Sequence, residues 1–186
     1  MTRTLRSTIA VSSALCAVLA ASGAAAQESK SSAAAKALVQ ALDNAKLDSI
    51  AAIDPAEPGL FAAALYIPGT QLLVVSAKYS APTLLMDKLS RKDYREIYID
   101  LNSASVPSSK VFVMDQGVDG LVARPEGDHP ADTWEKGKTQ LAFDGKWKNA
   151  NMSEEQYMKA FADADESYAR ILSLLLTQAQ GGKAGS

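Results

Sequence analysis

The segment LFAAALYIPGTQLLVVSAK, residues 60–78, predicts two paired strands of a sheet. Its first eight residues form a nearly continuous apolar run, which predicts a strand that is covered on both faces. Pro68 and Gly69 then supply the fixed φ and the permissive φ of a tight turn. Because this turn is short, the run that follows it is predicted to pair with the first strand in antiparallel orientation.

The next segment, YSAPTLLMDKLSRKDYREIYIDL, predicts a helix and then another strand. Ser80 is a typical N-cap, and Pro82 is tolerated in a first helical turn. Apolar and polar residues alternate over residues 94–101, which predicts a strand with one buried face. Residues 60–101 therefore predict strand, turn, strand, short helix and strand.

The N-terminus has the three parts of a signal peptide. Two arginines precede an apolar run at residues 9–20, and small residues at Ala24 and Ala26 form a cleavage motif. The run is shorter than the roughly 20 apolar residues that a bilayer requires. We expect residues 1–26 to be removed on export, which places the mature protein in the periplasm or outside the cell, with no membrane segment left.

The composition of the remaining 160 residues excludes several classes of protein. Cys16, the only cysteine, leaves with the signal peptide, so the mature chain has no disulfide and no thiolate. It retains 17 basic and 21 acidic residues, a formal charge of −4, which provides no basic footprint for nucleic acid. Its length fits one domain, predicted at residues 27–180 with a flexible tail at 181–186.

Other local patterns complete a set of predicted elements. A helix is predicted at residues 33–47 with Ser31 or Ser32 as its cap, and a strong helix begins at the capping box of Ser153 and Gln156. An apolar stripe runs along this last helix at three- and four-residue spacing. Its members are Tyr157, Phe161, Ala164, Tyr168, Ile171 and Leu175.

The predicted strands are mostly sequential and joined by tight turns. Beyond those above they comprise residues 49–53, a strand pair or bulged strand at 110–122 with Gly117 at its bend, and a hairpin at 133–143. This order predicts an α+β domain: a mostly antiparallel split β-barrel with one inserted short helix and flanking N- and C-terminal helices.

Isolated polar residues give weak functional signals. His129, the only histidine, lies in a polar loop and is expected to be exposed. Asp115, Asp119 and Asp128 do not have calcium-loop spacing and are interpreted as strand-edge and turn aspartates. No metal site is predicted. Three further acidic residues are expected on the solvent face of the last helix: Asp163, Asp165 and Glu166.

The pattern of residues 49–121 resembles the FMN-binding split-barrel family of pyridoxamine-phosphate-oxidase-like and flavin-reductase-like proteins. The matching pieces are SIAAIDPAEPGLFAAALYIPGTQLLVVSAK, YSAPTLLMDKLSRKDYREIYIDL and KVFVMDQGVDGL. The resemblance lies in the order of strands and helix, over about 70 of the 160 mature residues, and not in a diagnostic motif. It implies a homodimer with FMN at the dimer interface.

The resemblance also implies a phosphate site at the strand-to-helix junction SAKYSAPT. Ser76, Lys78, Ser80 and Thr83 are the residues there that match the family's hydroxyl and basic groups. The alternative interpretation is a solvated Lys78 and a simple helix cap at Ser80. Two function classes stay open: a non-catalytic ligand-binding or dimerisation module, and an oxidoreductase-like protein that binds FMN or haem.

Overall fold

Six strands and two helices make up the described part of the chain. The computed structural model describes residues 29–54, 56–57, 60–78 and 111–181. Its helices are α1 (Lys30–Ala45) and α2 (Glu154–Gly181). The strands are β1 (Ser49–Ile53), β2 (Leu60–Ile67), β3 (Gln71–Lys78), β4 (Val111–Gln116), β5 (Asp132–Lys136) and β6 (Thr139–Phe143).

The strands form one antiparallel sheet in sequence order, β1 to β6. The predicted α+β class, with an antiparallel sheet and flanking helices, is therefore confirmed. The sheet is not closed into a barrel, because each described strand pairs only with its neighbours in sequence, which leaves β1 and β6 as edges. A barrel requires the first and last strands to pair as well.

Several predictions fall outside the described residues. These are the signal peptide at 1–26, the inserted helix, the strand at 94–101, and the tail beyond Gly181. Two tight connections predicted on either side of that gap are confirmed. β2 and β3 pair across Pro68 and Gly69, and β5 and β6 form the predicted hairpin, with Lys136 opposite Thr139.

The main core lies between one face of the sheet and the two helices, which also pack against each other. The stripe predicted on α2 is confirmed: Tyr157, Tyr168 and Leu175 are fully buried, and Phe161 is half-buried. On the opposite face of the sheet Phe61 is also buried, as the continuous apolar run of β2 predicts. Neither described helix combines the length and apolarity needed to cross a bilayer.

The two helices differ in how well their starts are predicted. α2 begins at the predicted capping box: the Ser153 N–H donates to Gln156 Oε1 over 2.9 Å, and the Gln156 N–H donates to Ser153 Oγ over 3.2 Å. The predicted start of α1 at residue 33 is wrong. Ser29 is its N-cap, and both predicted cap residues are buried inside the first turn: Ser31 and Ser32.

Candidate functional site

A buried carboxylate on α2 accepts hydrogen bonds from the first turn of α1. Asp165 accepts the N–H of Lys30 over 2.7 Å and the N–H of Ser31 over 2.9 Å. Ser29 Oγ accepts the N–H of Ser32 over 3.2 Å. Helix starts leave such donors without intrahelical partners, so Asp165 caps a helix that begins 135 residues away from it. The prediction that Asp165 lies on the solvent face is wrong.

A second buried carboxylate shapes the loop after β4. Asp115 is 0% exposed and faces the helices. Its carboxylate accepts the Asp119 N–H over 3.1 Å and the Gly120 N–H over 2.9 Å. The hydroxyl of Tyr168 on α2 donates to the same group over 3.1 Å. Burial raises the pKa of Asp115 to about 6, although these three hydrogen bonds act to lower it.

A third buried carboxylate, Asp132 at the start of β5, holds both ends of that loop. It is 3% exposed and accepts the Gln116 N–H over 2.9 Å and the Val122 N–H over 2.8 Å. The pKa of Asp132 is raised to about 7, chiefly by burial and in part by the nearby charge of Asp115. Residues 117–122, which we call the 117–122 loop, are thus held by two carboxylates. Both carboxylates belong to the protein interior.

The 117–122 loop packs directly against the start of α1. The Leu121 N–H donates to Ser31 Oγ over 2.8 Å. Gly120 has φ +88° and lies so close to the helix that a Cβ there would come within 2.4 Å of the Ser32 nitrogen. Only glycine combines that backbone conformation with that approach. The strand pair or bulged strand predicted at residues 110–122 is wrong, because β4 ends at Gln116 and no strand follows it before β5. The predicted turn at Gly117 is present, with φ +101°.

A groove of about 580 Å³ opens beside this junction, and we call it the N-terminal groove. The start of α1, the segment that follows β4 and the first half of α2 form its walls. Its apolar part is formed by Leu121, Val122, Ala123, Met158, Phe161 and Ala162. Its size and largely apolar lining match those of sites for small molecules.

The charged residues at the rim of the groove include more carboxylates than cations. Lys30 pairs with Glu166 over 3.1 Å. Arg124 pairs with Glu154, and its Cζ atom lies over the Trp147 ring, 5.2 Å from the ring centroid. The rim also carries two exposed carboxylates without an ion pair in the described part of the chain, Asp119 and Asp163. The groove therefore offers an apolar wall and uncompensated negative charge.

Of the residues that the resemblance implies, the described Ser76 does not line this groove. Ser76 is 5% exposed on the helix-covered face of the sheet, between Ala62 and Val111 on the neighbouring strands. Lys78 ends β3, while Ser80 and Thr83 lie outside the described residues. Binding of FMN by these residues stays a prediction.

The three buried carboxylates are not among the predicted features, although the sequence carries a signal for two of them, Asp115 and Asp165. Asp115 alternates with Val111 and Val113 and is therefore in phase with the buried face of β4. Asp165 lies three residues before Tyr168, on the apolar stripe of α2. Their polar type predicts exposure and their periodicity predicts burial, and the structure agrees with the periodicity. His129 is exposed, as expected.

Comparisons with known proteins identify no relative. No family model, no curated protein and no solved structure matches the chain. Among the described residues, no group of three or more His, Cys, Asp or Glu side chains is arranged to hold a metal ion.

Proposed function

We propose that the exported chain is a non-catalytic binding domain whose ligand site is the N-terminal groove. The observation that carries this proposal is the groove itself, a space of about 580 Å³ with an apolar wall and a charged rim. The two carboxylates whose pKa values suit proton transfer at neutral pH, Asp115 and Asp132, are sealed inside the protein and occupied by backbone donors. This placement favours a structural role for them over acid–base chemistry in the groove.

The ligand class follows from charge complementarity. A molecule with an apolar body fits against the wall around Phe161, and a positively charged group at one end fits the carboxylates of Asp119 and Asp163. Both rim cations already have anionic partners, so a ligand carboxylate would find less compensation. We infer a small amphipathic cation, such as a molecule with an ammonium group and a short alkyl or aromatic body.

Matched probes test this class. The mature protein, labelled with ¹⁵N, is titrated with octylammonium, with octanoate and with methylammonium. We expect octylammonium to shift the amide signals of residues 119–124 and 158–166, with weaker binding of octanoate and negligible binding of methylammonium. Octanoate that binds as tightly as octylammonium, or the absence of binding by all three, would contradict the proposal.

A pair of variants distinguishes the effect of a carboxylate at the rim of the groove from the effect of the protein's overall charge. Asp163→Asn removes a carboxylate from the groove, and Glu155→Gln removes an exposed carboxylate of the same helix outside it. An exposed ion pair contributes about 0.2–1 kcal/mol, so the affinity for octylammonium should fall by about 1.5- to 5-fold in the first variant only. Equal losses in both variants would show that the effect is non-specific.

A further inference from the structure

The 117–122 loop depends on side-chain acceptors for its backbone hydrogen bonds. Four amides at its ends and within it donate to two carboxylates: those of Gln116 and Val122 to Asp132, and those of Asp119 and Gly120 to Asp115. Buried amides of regular strands donate to neighbouring carbonyls instead. The conformation of this loop is therefore tied to the charge state of two groups.

These two groups are neighbours and both are anionic when ionised. In the register of β4 and β5, Val113 lies opposite Trp134 and Met114 opposite Thr133. One pair further on, Asp115 comes beside Asp132, and like charges in such positions repel each other. We call these two residues the carboxylate pair.

The groups that face the carboxylate pair add no positive charge. The 117–122 loop contributes Asp119, whose charge raises the pKa of both members. α2 contributes the Tyr168 hydroxyl and, one turn earlier, Asp165, whose carboxylate is engaged by the start of α1. α1 contacts the same loop through the neutral Ser31 hydroxyl, which accepts the Leu121 N–H. No ion pair of the described residues includes either member of the pair.

We propose that the carboxylate pair is a proton-operated latch: uptake of a proton by the pair holds the 117–122 loop against α1 and α2, and loss of that proton loosens it. The loop supplies Asp119, Leu121 and Val122 to the wall of the N-terminal groove, so the latch sets the shape of that wall. This device exists whether or not the groove binds the ligand proposed above.

The direction of the effect follows from linkage. In the closed loop the pKa values of Asp115 and Asp132 are raised from 3.8 to about 6 and about 7. An open loop exposes both groups to water, where their pKa values return toward 3.8. The closed state therefore binds protons more tightly and is favoured as pH falls from about 8 to about 5. One unit of pKa difference changes the equilibrium by up to tenfold, so we expect at least a tenfold change across this range.

The test uses the mature protein without ligand. The ¹³C signals of the side-chain carboxyls are followed from pH 4 to pH 8.5, and amide hydrogen exchange, corrected for intrinsic rates, is measured at pH 5 and pH 8. We expect two carboxyl groups to titrate between about pH 5.5 and 7.5. The Asp119, Gly120 and Val122 amides should be at least tenfold more protected at pH 5, relative to the Val74 amide in β3.

A neutral variant and a matched control complete the experiment. Asp132→Asn removes one titrating group, and the pH dependence of loop protection should shrink. Asp128→Asn, at an exposed position in the β4–β5 connection, should leave it unchanged. Carboxyls that titrate below pH 5, or loop amides whose protection does not rise at low pH, would overturn the latch. The carboxyl titration and the amide exchange of the wild-type protein test the latch even if Asp132→Asn fails to fold. They also do not depend on whether octylammonium binds.

Discussion

Replacing Gly120 with alanine tests the contact between the 117–122 loop and α1. Gly120 has φ +88°, and an added Cβ would lie 2.4 Å from the Ser32 nitrogen, 2.5 Å from the Ser32 Cα and 2.7 Å from the Ser31 carbonyl carbon. Contacts this short cannot be relieved by rotating a side chain, because all three atoms belong to the backbone of α1. Either the loop or the start of the helix must move.

The magnitude follows from two contributions. A left-handed conformation costs about 1–2 kcal/mol for a residue with a Cβ, and overpacking a well-packed site costs about 1–3 kcal/mol. Gly120→Ala should therefore lower the free energy of unfolding by about 2–5 kcal/mol. Gly69 is the matched control, since its φ is +69° and an added Cβ meets nothing within 4 Å. Gly69→Ala should show only the conformational part, about 1–2 kcal/mol.

Urea denaturation followed by tryptophan fluorescence measures both variants under the same conditions. The comparison removes the effect of alanine on the unfolded chain, which is similar at the two positions. Equal losses of stability in Gly120→Ala and Gly69→Ala would refute the close approach of the loop to α1. A larger loss in Gly69→Ala would refute it as well, because that position is open to solvent.

Three further predictions concern the polar contacts at the same junction. Asp165→Ala removes the acceptor for two amides of α1. Because a lost charge-assisted hydrogen bond costs about 1.5–3 kcal/mol, we expect the free energy of unfolding, measured by urea denaturation, to fall by at least that amount. The control Asp163→Ala should change it by under about 0.5 kcal/mol. Tyr157→Phe deletes a hydroxyl that donates to Ala123 O over 2.8 Å and accepts the Gly145 N–H over 3.0 Å. We expect this variant to lose about 1–2 kcal/mol of stability in urea denaturation, and an unchanged stability would contradict the two hydrogen bonds. Because the pKa of Asp132 is about 7 in the folded protein and lower in the unfolded chain, its contribution to stability should grow as pH falls from 8 to 5; a melting temperature that instead falls steadily over this range would contradict the sign.

Local signals in the sequence were sufficient for the elements that are stabilised locally. The turn at Pro68, the capping box at Ser153 and the hairpin that follows Lys136 each depend on residues that are adjacent in sequence, and each is present in the structure. The apolar stripe of α2 was predictable for the same reason, because helical periodicity depends on the helix alone.

Features that depend on distant contacts were not predictable in this way. The start of α1 is capped by Ser29 and also held by Asp165, a residue on the other helix. The serines near residue 30 could not by themselves indicate which of them caps the helix. The open edge of the sheet follows from which strands meet in space, and the order of strands in the sequence fits both an open and a closed sheet. The groove arises where three segments from different parts of the chain come together.

The buried carboxylates illustrate why a domain keeps charged groups in its interior. Three loop amides and the amide of Gln116, the last residue of β4, donate to these carboxylates, and each amide left unsatisfied would cost about 1–3 kcal/mol. Replacing Asp115 with leucine would remove a desolvated charge, yet it would leave the Asp119 and Gly120 amides and the Tyr168 hydroxyl without this acceptor. Asp115→Asn retains one acceptor oxygen and no charge, so it should destabilise less than Asp115→Leu. The same carboxylates that allow an irregular loop to be buried therefore also make its closure sensitive to protons, since hydrogen bonding and desolvation act on one group in opposite directions.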